Sequence, residues 1–200
     1  MKLTVISYPE KIEDEEKIIP HLFDNGLEYY HLRKPEWIKD LVANLIKKIP
    51  AEYHRKIIIH NHWDLMHKFD LGGIHVREVE KHLISGCRCD FQSIAVHTIN
   101  ELYQLESGFR YAFLSPVFNS ISKKDTKSTF KIDSLKTMLQ ENHPDIPVYA
   151  LGGINQENLM KAKETGFDGA AILGFLWNIY KNEGLEKMIS AFKKLQKLCL

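Results

Sequence analysis

Residues 147–174, PVYALGGINQENLMKAKETGFDGAAILG, carry the reading that decides the fold. An apolar run over residues 147–154 ends in the paired glycines Gly152 and Gly153. A polar segment holding Leu159 and Met160 follows and closes at Gly166, and a second apolar run spans residues 169–174. Short runs that are hydrophobic throughout predict strands buried on both faces, and the segment between them predicts a crossover helix. Asn155 stands where an N-cap belongs, Glu157 and Asn158 fall in the polar first turn, and Gly166 sits where the helix should end. This is one β–α–β unit, and its two strands must be parallel.

Outward from that unit the same alternation recurs along the chain. Strands are expected at residues 3–7, 28–33, 56–62, 73–76, 92–97 and 111–118, besides the two above. Between them lie helical patterns. Trp37, Leu41, Leu45 and Ile49 recur at every fourth position, and Leu185, Met188, Ile189, Phe192 and Leu195 make another stripe. Gly26 marks a further helix end. The weakest stretch is 77–90, where residues 77–83 allow only a short helix. Eight units without a helix-only region predict an α/β fold: a single (β/α)8 TIM barrel spanning residues 1–200 as one domain. An open doubly wound sheet is the rival arrangement.

Composition agrees with an ordinary globular enzyme. Lys and Arg number 27 against 26 Asp and Glu, so the balance gives no reason to expect a nucleic acid or membrane surface as partner. The first residues read as neither a secretory signal nor a transit peptide, and no run of about 18 apolar residues exists to span a bilayer. Three cysteines, Cys87, Cys89 and Cys199, form no disulfide framework and fit a reducing, cytoplasmic compartment.

In such barrels the reacting groups sit at strand C-termini and in the loops beyond them. The second strand ends in His31-Leu32-Arg33-Lys34, with His31 and Arg33 on one side by alternation. Arg33 is suited to hold a phosphate with two parallel hydrogen bonds, or else to pair with a carboxylate. The third strand ends in His60-Asn61-His62 with Asp64 close behind, which reads as a metal site or as rim residues. The fourth runs through His75 to Glu78 and Glu80, acids that could reach a shared divalent ion or merely face water in a first helical turn. After the sixth strand, residues 115–128 bring hydroxyls and lysines together, as a diphosphate requires. Gly152, Gly153 and Gly174 lie after strands seven and eight, where this fold often binds phosphate.

These segments resemble the thiamine phosphate synthase (thiamine-phosphate pyrophosphorylase) family. The resemblance rests on Leu32-Arg33, Ile59-His60-Asn61, Gly73-Ile74-His75 and Val96-His97-Thr98, then on Ser115-Pro116-Val117-Phe118 with Lys123-Lys124-Asp125 and on Ala150-Leu151-Gly152-Gly153-Ile154, in family order. It implies condensation of hydroxymethylpyrimidine diphosphate with hydroxyethylthiazole phosphate, giving thiamine phosphate and pyrophosphate. It also implies roles for single residues. Arg33, Asn61 and Lys123 would handle the pyrimidine diphosphate, with His31 and Lys34 beside them. Ser120 and Ser122, at two family threonine positions, and Gly152, Gly153 and Gly174 would hold the thiazole phosphate. The family's Mg2+ ligands align with His62 and Glu80, where it carries Asp at both places. The family's Gln two residues before Arg33 is His31 here, its following Lys aligns with Pro35, and a Ser before Val96 is Ala95. Small phosphorylated substrates are the expected partners, with a homodimer possible. The related thiazole tautomerase carries His where this chain has Pro116, which favours the synthase. A non-catalytic thiamine-precursor-binding protein is the third reading.

Overall fold

The computed structural model describes residues 1–84, 89, 91–119 and 130–200. Eight parallel strands close into a barrel in sequence order: β1 (Lys2–Ile6), β2 (Tyr29–Leu32), β3 (Ile57–Ile59), β4 (Gly73–Arg77), β5 (Gln92–Val96), β6 (Tyr111–Leu114), β7 (Val148–Leu151) and β8 (Gly169–Ile172). The β1–β8 pairing, with Thr4 opposite Ala171, completes the ring and removes both sheet edges. The helices are α1 (Glu15–Asp24), α2 (Lys39–Lys48), α3 (Asp64–Phe69), α4 (Ile99–Tyr103), α5 (Ile132–Glu141), α6 (Leu159–Thr165), α7 (Gly174–Glu183) and α8 (Leu185–Cys199). Short 3-10 turns occupy Ala51–Lys56 and Glu78–Ile84, the second where only a short helix was expected.

Strand alternation divides the core into two layers. Val5, Tyr30, Leu32, Ile57, Ile59, Ile74, Val76, Ile94 and Val96 face the helices. Ile6, Ile58, Phe91, Tyr111, Phe113, Tyr149 and Ala171 fill the barrel. Aromatic rings dominate that interior: Tyr111 stacks on Tyr149 at 4.3 Å between centroids. Gly169 is required beside them, because a Cβ there would stand 2.6 Å from the Tyr149 ring.

Most strands end earlier than the apolar runs suggest, while β4 runs one residue further, to Arg77. β6 stops at Leu114, since Pro116 has no N–H with which to extend the ladder. In α2 the buried stripe is Val42, Leu45 and Ile46, with Leu41 half exposed, because the helical period of about 3.6 residues drifts away from an every-fourth pattern. Asn155 performs its expected capping one turn early. Its Oδ1 accepts from the N–H groups of Glu157 and Asn158 at 2.9 and 3.1 Å, ahead of the helix that begins at Leu159. Gly166 ends α6 in the left-handed conformation, φ +108°.

Candidate active site

The C-terminal mouth of the barrel is built from the ends of β2, β3 and β4 and from the loops after β6, β7 and β8. Arg33, just beyond β2, is held there by Ser7. The Ser7 hydroxyl donates to the Arg33 carbonyl at 2.9 Å, and the Arg33 N–H donates back to the same oxygen at 2.7 Å. The guanidinium is half-buried and, among the described residues, pairs with no carboxylate. Burial first and the positive charge of Arg77 second pull its pKa below the ordinary arginine value. A partly desolvated cation without a counter-ion is a receptor for an anion. Asn61 lies half-buried at the end of β3.

Lys34 points the other way, as its odd position relative to Arg33 demands. Its ammonium donates to the carbonyls of Tyr8 and Glu10 at 2.6 and 2.8 Å and to Glu15 of α1 at 2.6 Å. All three donors are used, so the expectation that Lys34 binds phosphate is corrected: it ties the loop after β1 and α1 to the end of β2. Burial pushes the Glu15 carboxyl up and the Lys34 ammonium down; each charge is kept by the other, and that of Glu15 also by the Tyr30 hydroxyl, which donates to it at 2.9 Å.

His31 also departs from its expected place at the phosphates. It is fully buried inside the barrel, with Nδ1 2.9 Å from His60 Nε2 and Nε2 2.5 Å from the Tyr111 hydroxyl. Of the two readings open for His60 and His62, a shared metal site or separate rim residues, the structure turns the two rings to different partners. Trp63 donates to the His60 carbonyl, and the His60 ring turns inward to stack on His75 at 4.2 Å. His62, in the left-handed region at φ +56°, places Nε2 2.9 Å from the Trp37 carbonyl.

The residues aligned with the family's Mg2+ ligands are engaged elsewhere. Glu80 forms an ion pair with Arg77 and also accepts from its backbone N–H, and this guanidinium holds the carboxyl below its ordinary range. Asp64 pairs with Lys39. A hard dication needs several free oxygens, and an imidazole bonded to a carbonyl with a carboxylate bonded to Arg does not supply them. The described donor set at His62 and Glu80 does not fit Mg2+.

On the far side of the mouth, Gly152 and Gly153 both have positive φ, +100° and +66°. A Cβ on Gly153 would lie 2.2 Å from the Asn119 carbonyl oxygen, so the loop after β7 presses its bare backbone against the loop after β6. The N–H groups of Val117 and Phe118 donate to the carbonyls of Leu151 and Gly152 and lock the two loops together. Gly174 opens the ten-residue helix α7 at the end of β8. A cleft of about 510 Å3, lined by Asn155, Gln156, Glu157 and Phe175, lies beside these loops. Ser120, Ser122 and Lys123 lie outside the described residues. Thr98 caps α4 by accepting from the Glu101 N–H, while Glu101 accepts from His97, so part of the Val-His-Thr segment is a capping arrangement.

Sequence reasoning missed the convergence of His31, His60 and His75 with Tyr111 and Ser93. The signal was present, since each histidine holds an inward position on one of three neighbouring strands, but pairing by sequence proximity obscured it.

The sequence pattern of the thiamine monophosphate synthase family matches residues 3–175. A thiamine phosphate pyrophosphorylase structure from Bacteroides thetaiotaomicron is 36% identical, with a TM-score of 0.85 over 100% of this chain and 98% of that one. The thiamine-phosphate synthase of Clostridium tetani is 31% identical over 137 residues, 66% of this chain. That of Leuconostoc citreum is 26% identical over 140 residues, 68% of this chain. The matched segments span 64% and 65% of those two relatives.

Proposed function

The chain belongs to the thiamine monophosphate synthase family, and from that premise we propose that it condenses hydroxymethylpyrimidine diphosphate with hydroxyethylthiazole phosphate. The observation that carries the reading is Arg33: a half-buried guanidinium, braced by Ser7 and lacking a carboxylate partner among the described residues, at the end of a barrel strand. In the reaction the C–O bond to the diphosphate breaks, a new C–N bond forms from the thiazole nitrogen, and pyrophosphate departs. Such chemistry asks the protein for positioning and for stabilisation of the leaving diphosphate. Arg33, Asn61 and Lys123 take the pyrimidine diphosphate. Ser120, Ser122, the backbone of Gly152 and Gly153, and the N-terminus of α7 at Gly174 take the thiazole phosphate. No step is assigned to a Mg2+ ion at His62 and Glu80.

The test is thiamine phosphate formation from both substrates, with Mg2+ and Mn2+ compared and pyrophosphate release followed in parallel. Product formed in step with pyrophosphate supports the synthase. Binding of both substrates without product selects the non-catalytic precursor-binding protein, a reading favoured by the engagement of His62 and Glu80. The tautomerase reading is opposed by Pro116, which stands where that enzyme carries His.

A further inference from the structure

We propose that His31, His60 and His75 form a binding site for a transition-metal dication of the Zn2+ type, inside the barrel beneath Arg33. One ring nitrogen from each histidine lies within 4.8 Å of the others. The three residues come from β2, the end of β3 and β4, consecutive strands whose hydrogen-bonded register makes the convergence a property of the barrel wall.

Ligand character follows from the outer hydrogen bonds. Ser93 directs its hydroxyl proton to the Ile74 carbonyl, 3.5 Å away, and lies 2.8 Å from His75 Nδ1. With the Ser93 oxygen accepting the Nδ1–H of His75, the Nε2 lone pair is free for a metal. The Tyr111 hydroxyl, which can accept as well as donate, takes the Nε2–H of His31 and leaves Nδ1 for a metal. Partners of this kind orient metal-bound histidines and fix their tautomers. Between His31 Nδ1 and His60 Nε2, 2.9 Å apart, a single proton is shared; when a metal binds, His60 adopts its other tautomer, that proton moves to His60 Nδ1, and both facing nitrogens present lone pairs. Tetrahedral coordination at about 2.0–2.1 Å needs nitrogens about 3.3–3.4 Å apart, so the two rings separate by a few tenths of an ångström.

Donor chemistry selects the ion. Three neutral nitrogens without an oxygen ligand suit Zn2+, Co2+, Ni2+ or Cu2+ and suit Mg2+ poorly. Burial favours the neutral form of all three imidazoles, so a metal has no proton to displace and only the tautomer of His60 has to change. His31 and His75 are buried while His60 is partly exposed, which places the open coordination position and the access route on the side of the mouth. Arg33, whose charge is felt at His60 and His75, opposes a bare dication there, so the fourth ligand is an anion such as hydroxide or a phosphate oxygen.

Chelator-treated, dialysed protein should be titrated with Zn2+ by calorimetry and with Co2+ by visible absorption, which reports four-coordinate geometry. One equivalent should bind with micromolar affinity or better, with the Co2+ spectrum of a tetrahedral nitrogen site, unaffected by millimolar Mg2+. His60→Ala, with folding checked by circular dichroism, should lose at least about tenfold in affinity, and Tyr111→Phe should lose about 10–100-fold through misorientation of His31. Tyr111→Phe serves alone if His60→Ala fails to fold. Absence of stoichiometric binding by the native chain, or affinity unchanged in the folded variants, overturns the proposal. None of these readouts requires substrate turnover, so failure here is separate from failure of the synthase reading.

Discussion

Arg33 is the residue on which the functional reading turns. Its backbone is fixed by Ser7 and its side chain lacks a carboxylate partner among the described residues, so its removal costs the fold little and an anion much. Arg33→Ala should lower turnover by at least about a hundredfold, the usual loss for one preorganised donor to a developing anion, while circular dichroism stays native. Lys123→Ala should do the same. Near-native pyrophosphate release from both variants would sink the assignment. Lys34 separates the reaction's needs from the fold's. Lys34→Met strands Glu15 in the core and should destabilise the chain by about 3–5 kcal/mol in urea unfolding, the penalty for an unpaired buried charge. A phosphate ligand would instead lose turnover with stability intact.

At the scale of elements, the loops after β6 and β7 act as one piece. Gly153→Ala has to find room for a Cβ placed 2.2 Å from the Asn119 carbonyl oxygen, at a φ of +66°. The variant should lose about 1–3 kcal/mol and bind thiazole phosphate more weakly, since the backbone that approaches the anion must shift. Calorimetric binding of thiazole phosphate checks this, and native affinity in Gly153→Ala would remove the glycines from the site. A bound phosphate or sulfate is expected near Gly153 and Ser122 in crystals grown with that anion.

At the scale of the molecule, three neutral histidines inside one barrel make its stability depend on pH. Burial is the first cause that lowers all three, and His75 is brought down to about 3 from an ordinary 6.5. The unfolded chain takes up protons below pH 6.5 that the folded chain refuses. Stability is therefore complete above that pH and is lost as the pH falls from there through about 3. The slope approaches about 1.4 kcal/mol per pH unit for each histidine, about 4 for all three. Urea midpoints of metal-free protein between about pH 7 and pH 5 should fall accordingly. A flat profile would mean that the folded cluster takes up protons as readily as the unfolded chain.

The barrel was legible because its information is local and repeated. Residues 147–174 alone contain a buried strand, a capped helix and a second buried strand, and eight such alternations leave few ways to bury every apolar face. The places of Arg33 at a strand end and of the glycines after β7 in a left-handed turn were legible for a related reason, since sequence spacing marks such positions. By itself, then, the sequence determined the alternation of eight strand–helix units and the family resemblance, and the β1–β8 pairing decided between the closed barrel and the open sheet. The tertiary structure decided the fate of the polar side chains. Lys34 binds Glu15 instead of facing the mouth, Glu80 is taken by Arg77, and His60 joins His31 and His75 instead of His62. Periodicity says which side of a strand a residue faces, but the partners of a buried charge or imidazole are set by which strands become neighbours. Only closure of the barrel decides that.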